Sequence, residues 1–75
     1  MTKKISIIGQ IAEMEREIAQ RQSLYPRLVR EGKMRQAESE MLMDRAVAIR
    51  NTLLFCQNNE ADIREFIARK KGAAE

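Results

Sequence analysis

The sequence predicts an all-α protein, an antiparallel helical hairpin with a long second arm. Three observations carry that reading. Ala, Met, Glu, Gln, Arg and Ile dominate a chain of 75 residues that holds only three glycines and one proline, a composition that favours helix and lacks the turn residues sheets need. Apolar residues recur at helical spacing on both sides of the centre. Between them, Tyr25-Pro26-Arg27-Leu28-Val29-Arg30-Glu31-Gly32-Lys33-Met34 joins a proline without a backbone N–H to a glycine suited to the left-handed conformation that ends helices. A bend is therefore expected over residues 25–35, with the two apolar stripes folded onto each other.

The first helix is expected over about residues 4–24, with Ile8, Ile11, Ala12, Ile18, Ala19 and Tyr25 on one face. Glu15 and Gln22 interrupt that stripe, and Gly9 costs roughly 1 kcal/mol relative to Ala within a helix. Glu13, Arg16, Glu17 and Gln20 lie opposite, and Glu17 precedes Arg21 by the four residues that bring such side chains together. Pro26 suits the first position of a short new turn. Leu28 and Val29 are expected to tuck under the bend.

The second helix is expected over about residues 36–71. Glu38 and Glu40 stand in its early turns, where negative charge complements the helix dipole. A column through Leu42, Ile49, Cys56 and Ile63 is flanked by Met41, Ala48 and Phe55 on one side and by Ala46, Leu53 and Ile67 on the other. Such width fits a core-facing stripe. Arg69, Lys70 and Lys71 sit in the last turn, Gly72 ends it, and residues 72–75 are expected to be disordered. Gln57-Asn58-Asn59-Glu60 supports an alternative, in which Asn59 caps a third helix and the chain forms a three-helix bundle.

Residues 25–40, Tyr-Pro-Arg-Leu-Val-Arg-Glu-Gly-Lys-Met-Arg-Gln-Ala-Glu-Ser-Glu, resemble a pattern in small helical proteins encoded by bacteriophages and prophages. There, Tyr-Pro precedes Leu or Trp and Val, then Gly with a basic residue and Met or Leu, then a helix rich in Ala and Glu. The resemblance covers the middle third of the chain, and the flanking helices match in general character only. It implies a phage setting, in the cytoplasm of an infected or lysogenic bacterium, and brings no biochemical activity with it. Relatives often carry Ser or Thr before the second helix, where this chain has Arg35.

Composition excludes most chemistry. With no His and one Cys, zinc cannot be ligated within one chain. The glycines at 9, 32 and 72 are isolated and cradle no phosphate. Serines 6, 23 and 39 have no histidine to activate them. Cys56 sits on an apolar column and reads as a packed structural thiol. Glu13 with Glu17, and Glu40 with Asp44, read as solvated faces because hard cations favour dedicated loops. The chain is expected to be neither enzyme nor metalloprotein, to need no cofactor, and to have no membrane span or export signal, Ile5–Ile8 being too short an apolar run.

What remains is interaction. The net charge of +3 is concentrated at the bend, where Arg27, Arg30, Lys33 and Arg35 face only Glu31. With Tyr25 they form the expected partner-binding patch. The expected function is that of a small phage accessory protein that binds, and in one version inhibits, a host or phage protein such as a host defence component. The alternative is a nucleic-acid-associated protein using the same basic patch. A core this small lacks a disulfide, so completion by homodimerisation into a helical bundle is expected. Cys56, Ile63, Phe66 and Ile67 are assigned to that interface, because helix two outruns helix one by about 14 residues at 1.5 Å per residue. Met34, Met41 and Met43 read as gap-filling core at the bend, with an adaptable binding surface as the other reading.

Overall fold

The computed structural model describes residues 4–74. Among these residues there are three helices and no strands: α1 (Ile7–Arg30), α2 (Gln36–Asn58) and α3 (Glu60–Ala74). The molecule is a rod with extents of 59 × 26 × 22 Å. Met1, Thr2 and Lys3, and Glu75 of the expected disordered tail, lie outside the described residues.

Helix α1 starts later and ends later than the sequence suggested. Ser6 caps it in extended geometry, and its hydroxyl accepts from the Gly9 N–H at 3.2 Å. That satisfies one of the donors every helix leaves free at its start. At the other end Pro26 does not break the helix, which runs on to Arg30. The reason is location. Gln22, whose carbonyl loses its partner at Pro26, is exposed, so water can take the proline's place. Continuing in helix also half-buries Leu28 and Val29, and that packing outweighs the preference against helix before proline.

The turn comes at Gly32, as its position implied. Gly32 has φ +74°, the one positive φ among the described residues. The Lys33 N–H donates to the Leu28 carbonyl at 2.8 Å, and the Gly32 N–H to that of Val29 at 3.1 Å. This is the paired pattern of a Schellman cap. The bend thus narrows from residues 25–35 to the five residues 31–35. Helix α2 then opens behind Arg35, which adopts extended geometry and supplies no side-chain cap.

Helices α1 and α2 pack side by side in opposite directions. Arg21 meets Leu42, and Glu15 meets Arg50 eight residues further along α2. The α1 face toward α2 comprises Ile7, Ile11, Met14, Ile18, Arg21, Tyr25 and Leu28, all buried or half-buried. These residues alternate steps of four and three, the spacing of a coiled-coil seam. Of the predicted stripe, Ile11, Ile18 and Tyr25 lie in this seam, whereas Ile8, Ala12 and Ala19 are exposed beside it. On α2 the matching face is Ser39, Met43, Ala46, Arg50 and Leu53. The predicted column through Leu42, Ile49, Cys56 and Ile63 lies beside this face, and Ile49 and Ile63 are exposed.

The resulting core is thin. Ala46 is fully buried and Ile18 is 5% exposed, while no large side chain is fully enclosed. The small residues Ser39 and Ala46 are the most buried positions of α2.

The expected single helix over residues 36–71 is divided at Asn59, and its end is later than expected, because α3 carries through Gly72 to Ala74. Asn59 leaves helical geometry (φ −115°, ψ 17°) while its side chain donates to the Phe55 carbonyl at 2.8 Å. Local side-chain bonding of this kind is how Asn competes with a helix ladder. The ladder resumes at once, with the Ile63 N–H donating to Asn59 at 2.9 Å. The third helix of the alternative reading is therefore present, beginning at Glu60, but it does not fold back as a bundle requires. No residue of α3 comes within 8 Å of α1, Cα to Cα.

Candidate interaction surfaces

Two surfaces stand out at opposite ends of the rod. At the loop end, Arg27, Arg30, Lys33 and Arg35 are all exposed. Glu31 serves two of them, lying 3.1 Å from Lys33 Nζ and 3.9 Å from Arg27 Nε. Arg27 and Arg30 also stand in the last turn of α1, where positive charge complements the helix dipole. Part of the basic character therefore serves α1 itself. Tyr25 stands apart from this patch: it is half-buried in the α1–α2 seam, with the Arg21 guanidinium 5.8 Å from its ring centroid. Met34 and Met43 are half-buried, whereas Met41 is exposed.

At the other end, every residue of α3 from Glu60 to Gly72 is exposed. Ile63, Phe66 and Ile67 keep 36%, 66% and 47% of their surface in water. Their spacing of three and four residues puts them on one helical face. Helix α2 extends this apolar surface with Ile49 and Phe55, both more than half exposed, and with half-buried Cys56. Ile49, Cys56 and Ile63 share a column at seven-residue spacing. The sequence assigned Ile49 and Phe55 to the intramolecular core. Their exposure follows from the rotation of α2, which turns Ser39, Met43, Ala46, Arg50 and Leu53 toward α1 instead.

A shallow groove of about 440 Å³ lies where the start of α1 meets the α2–α3 joint, lined by Lys4, Ile7, Cys56, Glu60, Ile63 and Arg64. Charged groups at its rim are mostly paired along their own helix, as Glu60 is with Arg64 at 2.6 Å. Among the described residues no three His, Cys, Asp or Glu side chains come together as a metal site. The carboxylates of Glu13 and Glu17 are instead engaged by Arg16 and Arg21. Among the described residues no helix is long and apolar enough to cross a membrane.

No family model, no curated protein and no solved structure matches the chain.

Proposed function

We propose that this chain is a non-enzymatic helical interaction protein. In this reading α1 and α2 form a hairpin, α3 is the arm through which two copies associate, and the basic loop end meets the partner. The observation that carries it is the exposure of Ile63, Phe66 and Ile67 on a helix whose Cα atoms come within 8 Å of α2 and not of α1. Burying such side chains contributes roughly 1.5–3 kcal/mol each, and a twofold arrangement doubles the gain. Cys56 extends the interface toward α2.

The partner is proposed to be a host or phage protein, with a host defence component as one case, in the cytoplasm of an infected or lysogenic bacterium. Support for that setting is the pattern at residues 25–40. Four exposed basic groups at one end of the rod suit an acidic protein surface.

Light scattering at tens of micromolar tests the association. A doubled mass is expected, and Phe66→Asp should return it to that of a single chain while circular dichroism still reports helix. A single-chain mass for the unaltered protein would sink this reading of α3.

A further inference from the structure

We infer that two copies pair through α3 in antiparallel orientation, about a twofold axis near the middle of that helix. The inference rests on the dimer reading above and adds its geometry. Charge is distributed unevenly along α3. Its first half carries Glu60, Asp62 and Glu65 against Arg64, and its second half carries Arg69, Lys70 and Lys71 with no acid. Laid parallel, two such helices set acid beside acid and base beside base. Laid antiparallel, each acidic half lies along a basic half, so the unfavourable contacts become favourable ones.

The register follows from the apolar face. Taking Cys56, Ile63 and Lys70 as one column of the seam, with Phe66 between, places Asp62 and Arg69 on the same flank, one heptad apart and opposite in sign. In an antiparallel pair that flank faces its own counterpart, so Asp62 of each copy approaches Arg69 of the other. In a parallel pair each meets no opposite charge there. The stem of Lys70 covers apolar surface while its ammonium reaches toward the acidic first turn of the other copy. Arg69 now pairs with Glu65 along its own helix, and both side chains are more than half exposed. Exposed pairs of this kind are weak enough to be exchanged or shared on association.

Antiparallel pairing has a measurable consequence for shape. Helix α3 is about 22 Å long at 1.5 Å per residue, and the single chain spans 59 Å. Two copies overlapping along α3 as far as Cys56 make a rod of roughly 90–95 Å with the basic loop ends at its two tips. Two parallel copies stay near 60 Å, with both basic ends together.

Small-angle scattering on the full chain, with mass measured in parallel, tests the inference. A doubled mass with a maximum dimension of roughly 90–95 Å is the expected result. A doubled mass near 60 Å would overturn the antiparallel geometry while leaving association through α3 in place. A single-chain mass would overturn both. Charge exchange gives an independent check: Asp62→Arg alone and Arg69→Asp alone should each weaken self-association about three- to tenfold, and the double variant should restore it. Failure of the double variant to recover, with helicity retained, would also overturn the antiparallel geometry.

Discussion

Arg21 on α1 donates from Nη1 to the backbone carbonyl oxygen of Leu42 on α2, across 2.8 Å. The same guanidinium donates from Nε to Glu17 at 2.8 Å and lies over the Tyr25 ring. A charged side chain thus holds the two helices in register from within their seam. Its aliphatic stem packs between them, and its head is satisfied by neighbours on both helices.

Arg21→Met is therefore expected to destabilise the fold although it removes a charge from a partly buried place. The stem is replaced, but the bond across the helices and the Glu17 pair are lost, at a cost of about 1–2 kcal/mol. In a domain this small that lowers the melting temperature by roughly 4–8 °C per kcal/mol. Thermal unfolding followed by circular dichroism measures it. An unchanged melting temperature would show that Arg21 does not set the register.

Arg50 presents the opposite case and yields the opposite expectation. It also lies in the seam, but its Nε is buried without a hydrogen-bond partner. Its nearest carboxylate, Glu15, is 3.7 Å away and half exposed. Leaving such a donor unsatisfied costs about 1–3 kcal/mol. Arg50→Met keeps a long flexible stem and removes that cost, so stability should rise by about 1 kcal/mol. Denaturant unfolding with an unchanged slope would report it. A fall in stability would mean that the weak attraction to Glu15 outweighs the buried Nε.

These two arginines explain why the helices were legible and their faces were not. Helix content follows from composition, and the turn at Gly32 follows from its lack of a side chain. Apolar spacing alone found Ile11, Ile18 and Tyr25 but added Ile8, Ala12 and Ala19, because the true seam also runs through Arg21 and, on α2, through Ser39 and Arg50. A stripe search discounts polar residues, although a long arginine stem packs like an aliphatic one. The small residues Ser39 and Ala46 add little to such a count, yet they are where α2 is most buried. The same rotation left Ile49 and Phe55 outside. The exposure at Ile63, Phe66 and Ile67 was legible from the length of helical sequence after the bend, which exceeds what the first helix can cover; the structure places that excess in a separate helix, α3.

Pro26 and Gly32 make a matched pair of backbone tests. Pro26 interrupts the hydrogen-bond ladder inside α1, and Pro26→Ala restores the donor at the cost of a freer unfolded chain. The net effect is expected to be a gain of about 1–2 kcal/mol. Gly32→Ala should do the reverse. No atom lies within 4 Å of an added Cβ, so crowding is not at issue, but φ +74° is strained for any L side chain. The cost is about 1–2 kcal/mol. Equal stabilities for Gly32→Ala and the parent would mean that the Schellman turn is not retained in solution.

The last test concerns the loop end, where stability and binding should separate. Arg27, Arg30, Lys33 and Arg35 are exposed, and the ion pairs there converge on one acid, Glu31. Changing all four to Gln removes charge but little packing. The loss of favourable dipole contacts at the end of α1 limits the expected destabilisation to about 1 kcal/mol. If this end meets the proposed partner, capture of a specific protein from a bacterial lysate should be lost with the fourfold variant and kept by the parent chain. Retention on heparin separates the two chemistries. Phosphate binding by four cations would fall by orders of magnitude as salt rises, whereas docking to an acidic protein keeps its apolar component. Capture that survives all four substitutions would move the binding surface away from the loop, and a steep salt dependence with no captured protein would favour nucleic acid instead.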